Sequence, residues 1–132
     1  MIGVDTNVLI RLYVADNPEQ HDAAVAFFAK RSEASRAYVS LIVLVEFVWS
    51  LTRTYKYGWD RVLALVGALT ATRDVLIERE EVVVEALAHA EDDHAGLVDT
   101  IIAMANRADG CDTTMTFDRA AAKRLPSMEL LA

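Results

Sequence analysis

Short apolar runs alternating with longer amphipathic ones limit what this chain can fold into more than any other feature. The runs near 1–4, 36–39, 74–77, 112–116 and 127–130 have the length and composition of strands. The segments near 6–14, 18–32, 41–57, 59–72, 80–92, 97–108 and 119–124 have the length and pattern of helices. Strands separated by helices form βαβ units, which stack into a parallel sheet faced by helices. The local punctuation agrees. Asn17-Pro18 marks a helix start, Lys56-Tyr57-Gly58-Trp59-Asp60 separates two helices, and Gly110 closes the helix ending near Ala108. Residues 38–49, YVSLIVLVEFVW, are rich in β-branched residues but too long for one buried strand, so a helix is predicted from about Leu41 with Ser40 as its N-cap. There is no repeat, low-complexity stretch or linker, and 132 residues read as a single domain over 1–132.

Four acidic residues sit at the edges of these apolar segments. Asp5 closes MIGV, Glu46 lies within LIVLVEFVW, Asp99 opens DTIIAMANRA and Asp118 ends TTMTF. On a helix, Glu46 shares a face with Ile42, Val45 and Trp49, which predicts a carboxylate set among apolar neighbours. Such a charge is costly without compensation. Two carboxylates about 5 Å apart repel by roughly 3 kcal/mol at an effective dielectric near 20. A cluster of four therefore calls for protons or a bound cation. In an open parallel sheet, ligands gather beyond the carboxyl ends of the strands, where Asp5 and Asp118 fall. Taken singly, each acid also has a plain reading: Asp5 and Asp118 as helix caps, Asp99 as a first-turn acid favoured by the helix dipole, Glu46 as a partner of Arg53.

Oxygen ligands suit Mg²⁺ or Mn²⁺ rather than zinc. His21, His89 and His94 are not at metal-ligand spacing and read as surface or cap residues. The formal charge of −7 argues against a general nucleic-acid coat protein. It leaves a nuclease open, because a bound cation inverts the local field. Arg11, Arg53, Lys56, Arg119 and Lys123 are candidates for a basic rim. Hydrophobic residues make up 54% of the chain, yet no uncharged apolar run approaches the ~20 residues of a membrane span. Asp5 follows at once on MIGV, so no secretory leader is expected. The lone Cys111 excludes an intramolecular disulfide and suits a reducing cytoplasm.

IGVDTNVLIRL, the VEF around Glu46, DTIIAMA around Asp99 and TFDRAAAKRL around Asp118 together resemble a PIN-domain nuclease, most closely the VapC-type toxins of bacterial toxin–antitoxin pairs. The resemblance implies an α/β/α sandwich around a parallel sheet of four or five strands in the order 3-2-1-4-5. It further implies that Asp5, Glu46, Asp99 and Asp118 form the acidic quartet that holds Mg²⁺ or Mn²⁺. Thr6, Asn7 and Thr116 match the polar residues that orient those carboxylates and bound water. Many relatives carry another Asp three residues before the one matching Asp99; here that position is Gly96, which predicts a weaker second metal position.

The implied reaction is metal-assisted hydrolysis of RNA phosphodiesters. The implied partners are an RNA substrate, a cognate antitoxin and a second copy of the chain, with no membrane. Phe47, Trp49, Tyr55, Tyr57 and Trp59 divide between core packing and a groove for such partners. The competing readings are a non-catalytic interaction domain of the same fold, a phosphatase with a strand-end aspartate, and a flap-type DNA nuclease. The phosphatase would need an acid two residues after Asp5, where the chain has Asn7, and the flap nuclease would need an insertion long enough for an arch.

Overall fold

The structure, a computed structural model, describes residues 1–93 and 95–132. His94 and the side chain of Asp93 lie outside the described residues, and with them the expectation for His94. The chain forms two compact units, residues 1–78 and 79–132. It is helix-rich α/β with every ladder between strands parallel, the class expected from the alternation of runs.

The N-terminal unit carries β1 (Ile2–Gly3), α1 (Thr6–Tyr13), α2 (Pro18–Ala29), β2 (Ala37–Val39), α3 (Leu41–Trp49), a π-helical turn (Ser50–Thr54), α4 (Trp59–Ala71) and β3 (Val75–Ile77). Its strands form one sheet with β2 in the middle, the 3-2-1 part of the expected order. The ladders run past the named strands: Val4 N–H donates to Tyr38 C=O at 3.0 Å and Glu78 N–H to Val39 C=O at 2.9 Å. Glu78 then uses its side chain on the next element, where Oε1 accepts from Leu41 N–H at 2.9 Å in the first turn of α3. Ser40 Oγ caps the same turn through Val43 N–H, as its sequence position predicted.

Two helices end earlier than expected. α2 stops at Ala29 rather than near 32, because Arg31 folds back to donate to Phe27 C=O at 3.0 Å and to Ser35 Oγ at 2.9 Å. The long helix expected over 41–57 is regular only to Trp49 and then widens into the π turn. Thr52 Oγ1 donates to both Val48 C=O and Trp49 C=O, a back-bonding pattern that bends helices. Tyr55 N–H consequently reaches Ser50 C=O, five residues back.

The C-terminal unit carries α5 (Glu80–Asp93), α6 (Leu97–Ala108), β4 (Thr114–Thr116), α7 (Arg119–Arg124) and β5 (Met128–Leu130). β4 and β5 pair in parallel, the 4-5 part of the expected order. α5 and α6 pack as a hairpin tied by Arg79, which donates to Ala105 C=O and pairs with Asp109. Gly110, at φ 95°, ends α6 in the left-handed region that its predicted capping role requires. Ala95, Ala103, Ala121, Leu125 and Met128 form a buried cluster among β5, α6 and α7.

Leu9, Leu44, Phe47, Leu51, Val62 and Val66 are fully buried among the elements of the N-terminal unit. Phe47 is the largest of them, and Tyr13 meets its ring at a centroid distance of 5.8 Å. Emptying this site removes an aromatic that the core closes around. Phe47→Ala is expected to cost about 3–5 kcal/mol of stability, read as a lower denaturant midpoint in chemical unfolding.

Candidate metal centre

Asp5 lies just beyond β1, where the chain leaves the sheet and turns into α1. It is the N-cap of that helix: Oδ1 accepts from Thr6 N–H at 2.7 Å, and its carbonyl accepts from Val8 N–H at 3.1 Å. Asp118 repeats the arrangement after β4, its Oδ1 accepting from Ala121 N–H at 3.0 Å in the first turn of α7. The capping role and the site role therefore belong to the same two residues, both of which keep their carboxylates exposed. Thr116 Oγ1 accepts from Asp118 N–H at 3.0 Å, fixing the backbone that carries that carboxylate.

In the N-terminal unit, Asp5 and Glu46 line one cleft of about 340 Å³ together with Thr6, Asn7, Ile10, Arg11, Ser50, Thr54 and Tyr55. Ser50 and Thr54 come from the π turn that follows α3, a feature sequence periodicity did not reveal. Arg11 is fixed at the cleft wall: Nε donates to Gln20 Oε1 at 2.8 Å, and one terminal nitrogen donates to Tyr55 Oη at 3.2 Å and pairs with Asp16. The hydrogen bond to Tyr55, with the charge of Asp16 behind it, pushes the guanidinium pKa further up. The other basic residues proposed for a rim are placed differently. Arg53 lies over the Trp49 ring at 5.0 Å, Lys56 sits in a left-handed turn at φ 58°, and Arg119 and Lys123 are exposed on α7.

The setting of Glu46 differs from expectation. Leu44, Phe47 and Val48 make the buried side of α3, whereas Ile42 is 73% and Trp49 43% exposed, and Glu46 is exposed with them. A helix apolar nearly all round gives periodicity no single face to choose. Glu46 therefore stands beside apolar residues at the surface, and its charge bears little of the burial cost expected of it.

In the C-terminal unit, Asp99 in the first turn of α6 is coupled to Asp118. Burial and then the like charge of Asp118 push the Asp99 carboxyl pKa up. Gly96 is the N-cap of α6, and a Cβ there would meet Asp99 Oδ2 at 3.1 Å. Position 96, where the family resemblance led to the expectation of another acid, is thus directly beside Asp99.

Among the described residues, no group of three or more His, Cys, Asp or Glu side chains is close enough to hold a metal ion. Within the N-terminal unit Asp5 and Glu46 share a cleft, and within the C-terminal unit the charge of Asp118 acts on Asp99. A pair is a sufficient protein contribution for Mg²⁺, which keeps several waters and takes one or two carboxylates. The N-terminal cleft adds hydroxyl and amide oxygens from Asn7, Ser50 and Thr54. Thr6 Oγ1 is buried at this cleft without a hydrogen-bond partner among the described residues, and a buried hydroxyl in that state calls for a water or ion. The donor chemistry fits a hard divalent cation. His21 takes no part in it; its Nδ1 lies 2.7 Å from Arg11 C=O and ties α2 to α1.

The PIN domain family matches residues 2–126, and the chain belongs to that family. Its members are generally metal-dependent nucleases. A search of curated proteins finds no match. Among the described residues, no helix is long and apolar enough to cross a membrane.

The raised pKa of Asp99 has a testable consequence for stability. A carboxyl whose folded pKa exceeds its unfolded value favours folding only while protonated, and that contribution is lost as pH rises through the folded pKa. At pH 7 the Asp99 charge therefore costs stability, so Asp99→Asn should raise the melting temperature. The gain should vanish below the ordinary aspartate pKa of 3.8, where both states are protonated. Thermal melts of the two proteins across that pH range check it.

Proposed function

We propose that this chain is a metal-dependent endoribonuclease and the toxin of a VapBC-type toxin–antitoxin pair, acting in the cytoplasm as a single PIN domain. The observation that supports this best is the pairing of carboxylates, Asp5 with Glu46 over an oxygen-lined cleft and Asp99 with Asp118, in a chain of the PIN family. In this reading all four acids serve Mg²⁺ or Mn²⁺. When bound, the cation supplies a water of lowered pKa for attack at phosphorus and offsets charge on the leaving oxygen.

The chain's own residues set the conditions for that chemistry. Each of Asp5 and Asp118 is held by a helix cap, so neither has to be ordered when substrate arrives. Thr6, Asn7 and Thr116 orient the carboxylates and their water. Asp99 keeps its proton to higher pH than an ordinary aspartate, so cation binding and proton release are linked there. Arg11 offers a positive charge at the Asp5 cleft for a substrate phosphate.

The antitoxin and a second copy of the chain are the partners of this reading. The open apolar side of α3, with Ile42 and Trp49 exposed next to Glu46, supports a protein contact at the edge of the cleft. One observation favours a second reading, a non-catalytic interaction domain: Gly96 stands where relatives place an acid, leaving Asp99 and Asp118 as the C-terminal unit's pair. The phosphatase reading gains nothing, since Asn7 at the cleft cannot act as a general acid.

Incubation of the purified chain with total cellular RNA separates these readings. Discrete fragments that require Mg²⁺ or Mn²⁺, disappear with chelator and fall about a hundredfold or more in Asp5→Ala are the expected result. Absence of cleavage with either ion, in a folded chain, would leave the interaction domain.

A further inference from the structure

The first two turns of α1 line a second cleft besides the acidic one. It measures about 440 Å³ and is bounded by Gly3, Val4, Asp5, Asn7, Val8 and Arg11 on one side and by Gln20, Ala23, Ala24 and Phe27 of α2 on the other. Asp5, Asn7 and Arg11 line both clefts, so the two meet along one stretch of α1. Neither the acidic quartet nor its supporting hydroxyls account for the second.

Its lining is that of a small-molecule site: mostly apolar walls with a few polar groups at one edge. Val4, Val8, Ala23 and Ala24 supply aliphatic surface. Phe27 adds a ring fixed by Arg31, 4.2 Å from its centroid, and by Phe28 edge-on at 5.2 Å. Besides the Asp5 carboxylate and the Asn7 amide, the polar lining consists of Gln20 and Arg11, which offer donors. Gln20 Oε1 already accepts from Arg11 Nε, which leaves the Gln20 amide NH₂ to donate, and Arg11 has donors only. A flat ring system with adjacent acceptors on its rim matches both walls and edge, and of the two purines guanine presents O6 and N7 side by side whereas adenine sets an amino donor beside N7.

We propose that this cleft is a nucleobase subsite, preferring guanine, for the nucleotide next to the phosphate held at Asp5. The inference rests on the ribonuclease reading and names a specificity element for it. Apolar walls stack the base while the Gln20 amide and the Arg11 guanidinium read its acceptor edge. Arg11, pinned by Asp16, Gln20 and Tyr55, stands where the phosphate cleft and the base cleft join.

The test is a titration of isotopically labelled chain with guanosine and with adenosine, followed by amide resonances in the presence of chelator. Nucleosides are used because, without a cation, the Asp5 and Glu46 carboxylates would repel a phosphate. Guanosine is expected to shift Val8, Ala23, Ala24 and Phe27 saturably, and adenosine, which carries an amino donor where guanine has O6, to bind about fivefold more weakly for want of the paired acceptors. Ala23 is exposed, so Ala23→Trp fills the cleft without entering the core; it should abolish the guanosine shifts and raise KM for RNA with kcat retained. Gln20→Glu, which replaces a donor by an acceptor, should remove the preference for guanosine.

No shift at these four residues, equal affinity for the two nucleosides, or full binding by Ala23→Trp would each overturn the subsite. Nucleoside binding needs neither metal nor cleavage, so the subsite can survive failure of the nuclease reading. An Ala23→Trp chain that cleaves RNA with unchanged KM would sink the subsite and leave the nuclease standing.

Discussion

The hydrogen bond between an aspartate at the end of a strand and the first turn of the next helix is the interaction on which the rest of this molecule depends. It occurs at Asp5 before α1 and at Asp118 before α7, once in each unit. In both places it turns the chain out of its sheet and anchors a carboxylate beyond the strand's carboxyl end. The helix N-terminus also favours the negative charge by its dipole. Folding thus places both carboxylates without a separate device to hold them.

Charge repulsion supplies the other half of the design. The like charge of Asp118, added to burial, pushes the Asp99 pKa up. Asp5 and Glu46 share a cleft whose remaining lining is largely oxygen donors, Arg11 and apolar floor. The two units solve the problem differently. In the C-terminal unit Asp99 is partly desolvated and feels the charge of Asp118, while in the N-terminal unit Asp5 and Glu46 are open to water and share their cleft with Arg11. A bound divalent cation would relieve both, by neutralising the repelling charges in one and completing the oxygen shell in the other.

Much of this was legible in the amino-acid order. Strand and helix periods, with Asn17-Pro18, Ser40 and Gly110 as punctuation, located the strands and most helix ends to within a few residues, because these signals are local. The acids at Asp5 and Asp118 were readable for the same reason, since capping depends on immediate neighbours. Three features were hidden. The face of α3 could not be chosen from a nearly uniform apolar pattern, so Glu46 was expected among buried neighbours and lies in the open. The π turn arises from the Thr52 hydroxyl competing for the carbonyls of Val48 and Trp49, which no hydrophobic period records. The cleft between α1 and α2 exists because Ala23 and Ala24 leave room beside Phe27, and empty space has no sequence signature.

The central claim is that the carboxylates of each unit serve a divalent cation. Calorimetric titration of Mn²⁺ into the wild-type chain, Asp5→Asn and Asp118→Asn tests it most directly, with circular dichroism confirming that each variant is folded. Saturable binding by the wild type, with loss of a site or an affinity lowered about tenfold or more in both variants, is the expected result. A variant that titrates like the wild type, or no binding by the wild type, would contradict it.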